Sequence, residues 1–390
     1  MKTPVNYLAA AIILFASLLI AGSSNHAAAI GFWQVLHAKA NVISSYWLFP
    51  NYFSQQLTQL PDSALAILAR NDIPHAQHSY SVKLLKNNRT DAAKWYWRAS
   101  VDQVDEAKRQ QLAAQLLAQS QWQELQLLAK QGLLPPGAVD NHLKLHTSEP
   151  YQRVPTAFLQ QHGFLSLTSP ITAEPQCVFN VLMMSDHRNG LYKLAQFIHN
   201  YQRQPEPSDA VFCFSRPSYV AGAIDCQNQA TSMARCDWHN AALVQQLPRG
   251  FDFMVMMTKQ GSANVQSGVM QLNSTAHYQL FLHELMHFNG FEDEYELPPA
   301  KQAWLCQQRG FVAPNLFIAK DQPAPQGWYR SRSCQQGAVA YKPSEQWSIM
   351  QYQQLALSAQ YRALWQAHIA THFALFPRYS AFIEGAKAAR

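Results

Sequence analysis

The sequence predicts an α+β protein in which an all-helical region precedes a domain built on a twisted mixed sheet. Two observations lead to this class. The spacing of apolar residues is helical before residue 150 and changes after residue 176 to short, strand-like runs. All six cysteines also lie after residue 176, which indicates two regions of different construction: Cys177, Cys213, Cys226, Cys236, Cys306 and Cys334.

The first 29 residues have the composition of an export signal. Lys2 precedes an uncharged apolar run at 7–22, and the small residues 27–29 offer a cleavage site. This run suits a signal peptide better than a membrane span, which needs about 20 apolar residues. A signal anchor that holds the chain in the membrane through 7–22 is the alternative. Both interpretations predict an exported protein, either secreted or in a bacterial-type periplasm or cell envelope, with inner-membrane anchoring in the second case.

The charge pattern argues against nucleic acid as a partner. The net charge of +6 is not concentrated in any run of lysine or arginine. Acidic residues instead crowd together at 292–296, where four of the five side chains are Asp or Glu. A metal site is one reason for such a local excess.

The six cysteines of an exported chain predict disulfides. Proximity along the chain favours three pairs: Cys226 with Cys236, Cys306 with Cys334, and Cys177 with Cys213. No two cysteines have the CxxC spacing of a thiolate zinc site or of a redox motif.

Residues 30–150 are predicted to be helical. Ala, Leu and aromatic residues recur at three- and four-residue spacing in the segments 63–70, 90–100, 106–119 and 122–131. Asp62 and Asp105 are candidate N-caps, and Gly132 ends the last of these helices. Short antiparallel helices of this kind resemble tetratricopeptide-like hairpins, and an irregular bundle is the alternative. Either arrangement could bind a protein partner.

Residues 151–176 are predicted to be a linker, and residues 177–390 form the second domain. Apolar, β-prone runs predict strands at 177–184, 210–214 and 251–258, with a helix at 191–201. The more polar residues 261–273 contain two glycines and predict a loop with an exposed edge strand. Helices are then expected at 275–289 and in the tail at 354–383.

The helix expected at 275–289 carries the most informative motif, HELMH, at residues 283–287. Histidines four residues apart project from one face of a helix, one turn apart, and can hold one zinc ion through their ring nitrogens. Glu284 is rotated by one residue from His283, so it can act as general base towards a zinc-activated water. A buried pair of histidines beside a glutamate is costly unless a metal satisfies the three side chains.

A third ligand is expected from the residues after the helix. Gly290 can end the helix with positive φ and turn the chain back towards the metal. Asp293 lies six residues after His287 and is the predicted ligand, with its neighbour Glu294 as the alternative. The complete pattern from His283 to Asp293 is HExxHxxGxxD.

This pattern resembles the metzincin clan of zinc peptidases, in the aspartate form of snapalysin-type enzymes. The string DEYE at 293–296 is similar to the Asp-Glu-Tyr segment of IgA-specific metallopeptidases, in which the acid lies one residue further along. Downstream, SIMQY at 348–352 resembles the Ser-x-Met-x-Tyr turn of astacin-like members. The resemblance covers roughly residues 177–355.

The resemblance implies a zinc metalloendopeptidase with one Zn²⁺ per chain, bound by His283, His287 and Asp293. Met350 would then form a hydrophobic floor beneath the histidines, and Tyr352 would approach the metal and stabilise the oxyanion. A peptide or protein substrate would lie extended along the edge strand at 261–273.

Two other functions are weighed against this one. A gluzincin-type peptidase would take a glutamate from a later helix as third ligand, but Gly290 and Met350 favour the metzincin pattern. An envelope binding or assembly protein would act through its helical region, with the zinc site secondary. Glu284 argues against that function, because a purely structural zinc site needs no general base.

A second pair of histidines, His368 and His372, has the same four-residue spacing in a helical stretch. Ile369 stands where the first motif has its glutamate, and no third ligand is evident nearby. The sequence therefore predicts that these two rings are packed or solvated rather than bound to metal.

Overall fold

The computed structural model describes residues 42–227, 229–230, 232–238, 244, 246–335 and 337–381. The chain divides into two compact units between Leu143 and Lys144. The predicted leader at 1–29, with its apolar run at 7–22, lies outside the described residues. Among the helices that are described, none is long and apolar enough to cross a membrane.

The first unit is helical, in line with the expectation for this region. Its helices are short, and the last of them continues into the second unit. They are α1 Val42–Leu48, α2 Pro50–Gln56, α3 Asp62–Arg70, α4 Pro74–Lys86, α5 Thr90–Ser100, α6 Glu106–Ala118, α7 Trp122–Lys130 and α8 Ala138–Thr147.

One of the two predicted N-caps of this unit is confirmed. Asp105 caps α6, because its carboxylate accepts the N–H of Lys108 at 2.9 Å. The prediction for Asp62 is wrong, since α3 begins at Asp62 itself and Pro61 occupies the cap position without a side-chain bond. The helices pack through apolar faces in two clusters. A tetratricopeptide-like repeat stays a prediction.

The second unit is α+β and contains a mixed sheet. Its strands follow the order β1-β4-β2-β7-β9-β8, and β3 also pairs with β2. All of these pairs are parallel except β8 with β9, which is antiparallel. The strands are β1 Leu165–Ser166, β2 Phe179–Ser185, β3 Phe212–Phe214, β4 Ser218–Tyr219, β7 Phe253–Thr258, β8 Asn264–Gln266 and β9 Val269–Asn273.

The segment expected to be a linker belongs to this unit. Residues 151–176 contain the helix α9, Thr156–Gln161, and the strand β1, which pairs in parallel with β4. The sequence pattern does not reveal β1 because a strand of two residues is too short to establish a period.

The two central strands explain the uninterrupted apolar runs of the sequence. Both faces of β2 and β7 are buried, as is usual for parallel strands covered on each side. Val181 and Met183 contribute to one core cluster, whereas Leu182 and Met184 contribute to another on the opposite face. The first cluster also contains residues of three helices, α10 Arg188–Arg203, α11 Tyr278–Phe288 and α13 Ala359–His372. The sheet thus supports α11, which carries the HELMH motif.

The edge strand predicted at 261–273 is a hairpin of two strands. Gln266 of β8 pairs with Val269 of β9, so the loop consists of Ser267 and Gly268. Both loop residues have positive φ, +45° and +80°, as two-residue hairpin turns require. The antiparallel strand β8 forms the edge of the sheet, and the buried strand β9 lies between it and β7.

A small antiparallel sheet between residues 310 and 342 was not predicted. Its order is β10-β11-β13-β12, with β10 Gly310–Ala313, β11 Leu316–Ala319, β12 Tyr329–Arg330 and β13 Val339–Lys342. Strands of two to four residues with polar neighbours leave no clear periodicity. A short helix, α12 Pro299–Leu305, precedes this sheet.

The structure confirms the three predicted disulfides, which join Cys177 to Cys213, Cys226 to Cys236 and Cys306 to Cys334. The second disulfide joins the hairpin of β5 Asp225–Gln227 and β6 Arg235–Asp237, where the two cysteines are directly opposite. Three disulfides are compatible with an exported protein.

The tail helix is shorter than the predicted range of 354–383. The helix α13 begins after Ser358, whose hydroxyl accepts the N–H of Tyr361 at 3.3 Å. It is followed by a single 3₁₀ turn, Phe373–Leu375. Residues 382–390 lie outside the described part of the chain.

Candidate metal centre

The helix α11 holds the HELMH motif in a buried position. His277 caps the start of the helix, since its Nδ1 accepts the N–H of Leu280 at 3.1 Å. The apolar residues of α11 pack into the core of the mixed sheet. As a result His283 and Glu284 are only 1% and 3% exposed. Polar groups buried this deeply need partners.

The end of α11 has the geometry predicted from Gly290. This residue has φ +77°, and its N–H donates to the carbonyl of His287 at 3.1 Å. The N–H of Phe291 donates to the carbonyl of Met286 at 3.3 Å, which completes a Schellman motif. No atom lies within 4 Å of a Cβ built on Gly290, so the backbone angle rather than lack of space demands glycine. The turn directs the following residues back towards the histidines.

Three potential ligand atoms converge beyond this turn. The Nε2 atoms of His283 and His287 lie 3.1 Å apart, and Asp293 Oδ1 lies 3.3 Å and 3.1 Å from them, respectively. In the part of the chain that the structure describes, this is the one group of three His, Cys, Asp or Glu side chains close enough to share an ion.

In each histidine, the hydrogen bond made by Nδ1 determines which tautomer the neutral ring adopts. His283 Nδ1 lies 3.0 Å from the carbonyl oxygen of Ile349, and His287 Nδ1 lies 2.7 Å from that of Phe291. A carbonyl can only accept, so each Nδ1 carries a proton, and in the neutral form of each ring the Nε2 lone pair faces Asp293. Two lone pairs and a carboxylate oxygen repel one another unless a proton or a metal cation lies between them. This donor set fits zinc, whose nitrogen and oxygen ligands lie at about 2.0–2.2 Å.

The electrostatics of the group also favour positive charge. Burial lowers the pKa of His287, but Asp293 outweighs this effect and raises that pKa to about 9. Burial raises the pKa of Asp293, yet the two histidines hold it well below its usual range. A site that retains a proton so strongly is one where a bound cation is stabilised.

Glu284 lies beside this group without belonging to it. It lines a cavity of about 410 Å³ together with His287, Asp293 and residues 263–268 of the β8 edge. Burial raises the pKa of Glu284, and the neighbouring histidines partly offset that rise. A carboxyl of raised pKa that faces a cavity can exchange a proton with a water molecule there.

Met350 lies in a turn that is hydrogen-bonded to His283 and to Glu294. The N–H groups of Gln351 and Tyr352 donate to the carbonyl of Ser348 at 3.0 Å and 2.9 Å, which closes the turn. The side chain of Met350 is completely buried in the core cluster that includes α11. Its neighbour Ile349 supplies the carbonyl that orients His283. The turn therefore supports the metal group through both packing and a hydrogen bond.

Glu294, the alternative third ligand, has its carboxylate elsewhere. The side chain is fully buried and accepts hydrogen bonds from Ser348 Oγ and Tyr361 Oη, both at 2.5 Å, and from Asn315 Nδ2 at 2.8 Å. Burial raises the pKa of Glu294, whereas these donors lower it. Glu294 thus connects the metal loop to distant segments, and Asp293 is the carboxylate that joins the histidines.

The two tyrosines near the site differ from the expectation. Tyr352 is not among the described residues that line the metal cavity. Its ring packs on Trp347 with centroids 4.7 Å apart, and it lines a neighbouring cavity. Tyr295 was given no role from the sequence, but it lines both cavities, and burial and the nearby Asp293 raise its pKa. Its position two residues after Asp293 is the feature of the sequence that could have indicated a place near the site.

Comparison with known proteins adds no further information on this site. No protein-family model matches the sequence, and no similar protein is found among curated proteins. The functional interpretation therefore depends on the residues and their geometry.

Proposed function

We propose that this chain is an exported zinc-dependent metalloendopeptidase of the metzincin type. The observation that carries the proposal is the convergence of His283 Nε2, His287 Nε2 and Asp293 Oδ1, separated by 3.1–3.3 Å at the wall of a cavity. Catalytic zinc sites use three protein ligands and keep a position open, whereas structural sites use four.

The chemistry follows from the groups that surround this position. Bound zinc would lower the pKa of a water molecule and polarise the carbonyl of the scissile bond. The Glu284 carboxylate would accept the proton of that water and deliver it to the leaving amine. Burial, which raises the pKa of Glu284, helps the carboxyl to hold the proton between these two events. The carbonyls of Ile349 and Phe291 keep the histidine rings in orientation.

The edge strand β8 is the proposed binding surface for substrate. Residues 263–268 line the same cavity as Glu284 and His287, and β8 forms the edge of the sheet. An extended peptide can pair with such an edge through backbone hydrogen bonds, which bind a range of sequences. A mixed sheet with an antiparallel edge strand, a buried zinc helix and a methionine turn supports the metzincin assignment over the gluzincin one.

The proposal is tested by zinc analysis and peptide cleavage on the purified chain. We expect about one zinc per chain, as one three-ligand site requires. Glu284→Gln should retain the zinc and lose hydrolysis by about a hundredfold or more, as expected when a general base is removed. His283→Ala is the control that should lose both zinc and activity. Folded wild-type protein without zinc, or full activity in Glu284→Gln, would contradict the proposal.

A further inference from the structure

A second cavity, of about 660 Å³, adjoins the metal cavity and shares Tyr295 with it. Its walls come from three segments: the metal loop with Tyr295 and Glu296, the chain at 330–335, and the residues 351–352 at the end of the methionine turn. We call it the arginine pocket, because Arg330 and Arg332 both line it.

Both arginines belong to one short stretch of chain that forms a wall of this pocket. Arg330 ends β12, and Ser331 separates it from Arg332. Ser331 is buried, and its hydroxyl donates to the carbonyl of Glu294 at 3.1 Å. Ser331 itself lines the pocket between the two arginines, and both arginine side chains are exposed.

Hydrogen bonds hold this segment against the metal loop. The N–H of Arg332 donates to the carbonyl of Glu294 at 3.3 Å, and Ser333 Oγ donates to the carbonyl of Asp293 at 2.8 Å. A disulfide at Cys334 anchors the next residue of the segment. The segment that carries the arginines is therefore hydrogen-bonded to the metal loop at Asp293 and Glu294, next to the proposed zinc site.

The charges of the arginine pocket favour an anionic group. Within the described residues, the side chains of Arg330 and Arg332 have no hydrogen bond or ion pair. Glu296 is the opposing charge in the pocket, which leaves one positive charge in excess. In the metal cavity, by contrast, Lys301 is neutralised by an ion pair with Glu292 at 2.5 Å.

We propose that the arginine pocket binds a carboxylate of the peptide substrate, so that the bond cleaved lies close to that carboxylate. This inference rests on the proposed peptidase function. The planar guanidinium fork matches the two oxygens of a carboxylate and binds them with paired, charge-assisted hydrogen bonds. An Asp or Glu side chain and the C-terminal carboxylate present the same chemistry, and the experiment distinguishes these two sources.

The test compares cleavage of peptides that differ only in this carboxylate. One series replaces Asp and Glu near the cleaved bond by Asn and Gln, and a second series replaces the free C-terminus by an amide. A charge-assisted hydrogen bond predicts a kcat/KM about tenfold to a hundredfold higher for the peptide that keeps the preferred carboxylate. If kcat/KM falls in the first series, the pocket binds an acidic side chain. If it falls in the second series, the pocket binds the C-terminal carboxylate.

Matched variants locate the effect in the pocket. Arg330→Gln and Arg332→Gln should each reduce the preference, measured as the ratio of kcat/KM for the acidic peptide to kcat/KM for the neutral peptide. Arg309→Gln removes the same charge from an exposed residue outside the arginine pocket, and it should leave the preference unchanged. Glu296→Gln should increase the preference, because it removes the opposing charge.

Two outcomes would overturn the inference. They are equal kcat/KM for acidic and neutral peptides in the wild type, and a preference that persists in the Arg330→Gln, Arg332→Gln double variant. If the wild type cleaves no peptide at all, the peptidase proposal fails separately. The pocket is then tested by the anisotropy of labelled acidic and neutral peptides bound to Glu284→Gln, where equal Kd values would refute it.

Discussion

Two helices of the second unit carry histidines at the same spacing and show that spacing alone does not make a metal site. On α11, His283 and His287 direct their Nε2 atoms at each other and at Asp293. On α13, His368 and His372 have rings 4.4 Å apart and nearly parallel, at 26°. The difference lies in the loop after α11, which supplies a carboxylate and an orienting carbonyl.

One histidine of each pair, His287 and His368, has a shifted pKa, and the two shifts have opposite directions. The pKa of His287 is raised to about 9, because Asp293 outweighs the opposing effect of burial. Burial, and then the neighbouring His372, lower the pKa of His368 to about 4. The surroundings of His287 stabilise positive charge, whereas those of His368 disfavour it. A histidine pair on a helix thus becomes a candidate metal site only where the surrounding loops favour a cation.

The largest expected effect is on zinc affinity, which should depend on the residues around the α11 histidines and not on the α13 histidines. Asp293→Ala should weaken zinc binding by more than about a hundredfold, because even outer partners of a ligand are worth about 10- to 100-fold. His368→Ala should leave the affinity unchanged. Competition with a chromophoric chelator measures both values. Equal zinc affinities for Asp293→Ala and the wild type would move the third ligand away from Asp293.

The next largest expected effect is a difference in protein stability between variants of Asp293 and of its neighbour Glu294. Glu294→Ala leaves buried donors of Ser348, Tyr361 and Asn315 without their acceptor. We expect the free energy of unfolding of the metal-free protein to fall by about 3–5 kcal/mol, as measured by urea denaturation. Asp293→Ala should lower it less, because His287 can lose the proton that Asp293 stabilises, whereas the three donors to Glu294 stay buried without an acceptor.

Glu292→Gln is the control for this stability measurement. Its ion pair with Lys301 is partly exposed, and pairs of that kind contribute about 0–1 kcal/mol. A Glu294→Ala variant as stable as Glu292→Gln would mean that the buried carboxylate does not join the metal loop to the segments around it.

A smaller effect is expected from the tyrosines. Tyr295→Phe removes the hydroxyl beside Asp293 and should weaken zinc binding by about tenfold. Tyr352→Phe should leave zinc affinity unchanged. If Tyr352 stabilises the oxyanion, as the resemblance implies, Tyr352→Phe lowers kcat with little change in KM. If kcat is unchanged, that role for Tyr352 is excluded.

The smallest effect concerns pH in the metal-free protein. For His368, a folded pKa of about 4 lies below the ordinary 6.5, so its protonation opposes folding, and stability falls as pH drops through this window. For His287, a folded pKa of about 9 lies above 6.5, so its contribution is complete below pH 6.5 and is lost as pH rises through about 9. NMR titration of the imidazole signals, assigned with His287→Ala and His368→Gln, should find the two pKa values on opposite sides of 6.5.

The local parts of the site could be predicted from the sequence. The arrangement of the two histidines and the end of their helix depends only on residues within one or two helical turns, namely the HELMH motif and Gly290. This local geometry could therefore be predicted from the motif itself. The spacing from His287 favoured Asp293 as third ligand but did not exclude Glu294. The position of the Glu294 carboxylate depends on Ser348 and Tyr361, which bind it from more than 50 residues further along the chain.

The fold shows the same difference between features that depend on nearby residues and features that depend on distant ones. The strands at 177–184 and 251–258 were visible because both faces are buried, which produces continuous apolar runs. The short strand β1 and the sheet from β10 to β13 were not visible, because their partners lie far away in sequence and the strands are too short to show a period. The arginine pocket was missed for a related reason, since its walls come from three separate segments.

The most direct test of the central claim is X-ray absorption spectroscopy of the zinc-loaded wild-type protein. The account predicts a first shell of nitrogen and oxygen only, with two imidazoles and one carboxylate at about 2.0–2.2 Å and one further light atom. The Asp293→Ala protein should not yield this spectrum. A shell that contains sulfur at about 2.3 Å, or four imidazoles, would contradict the account.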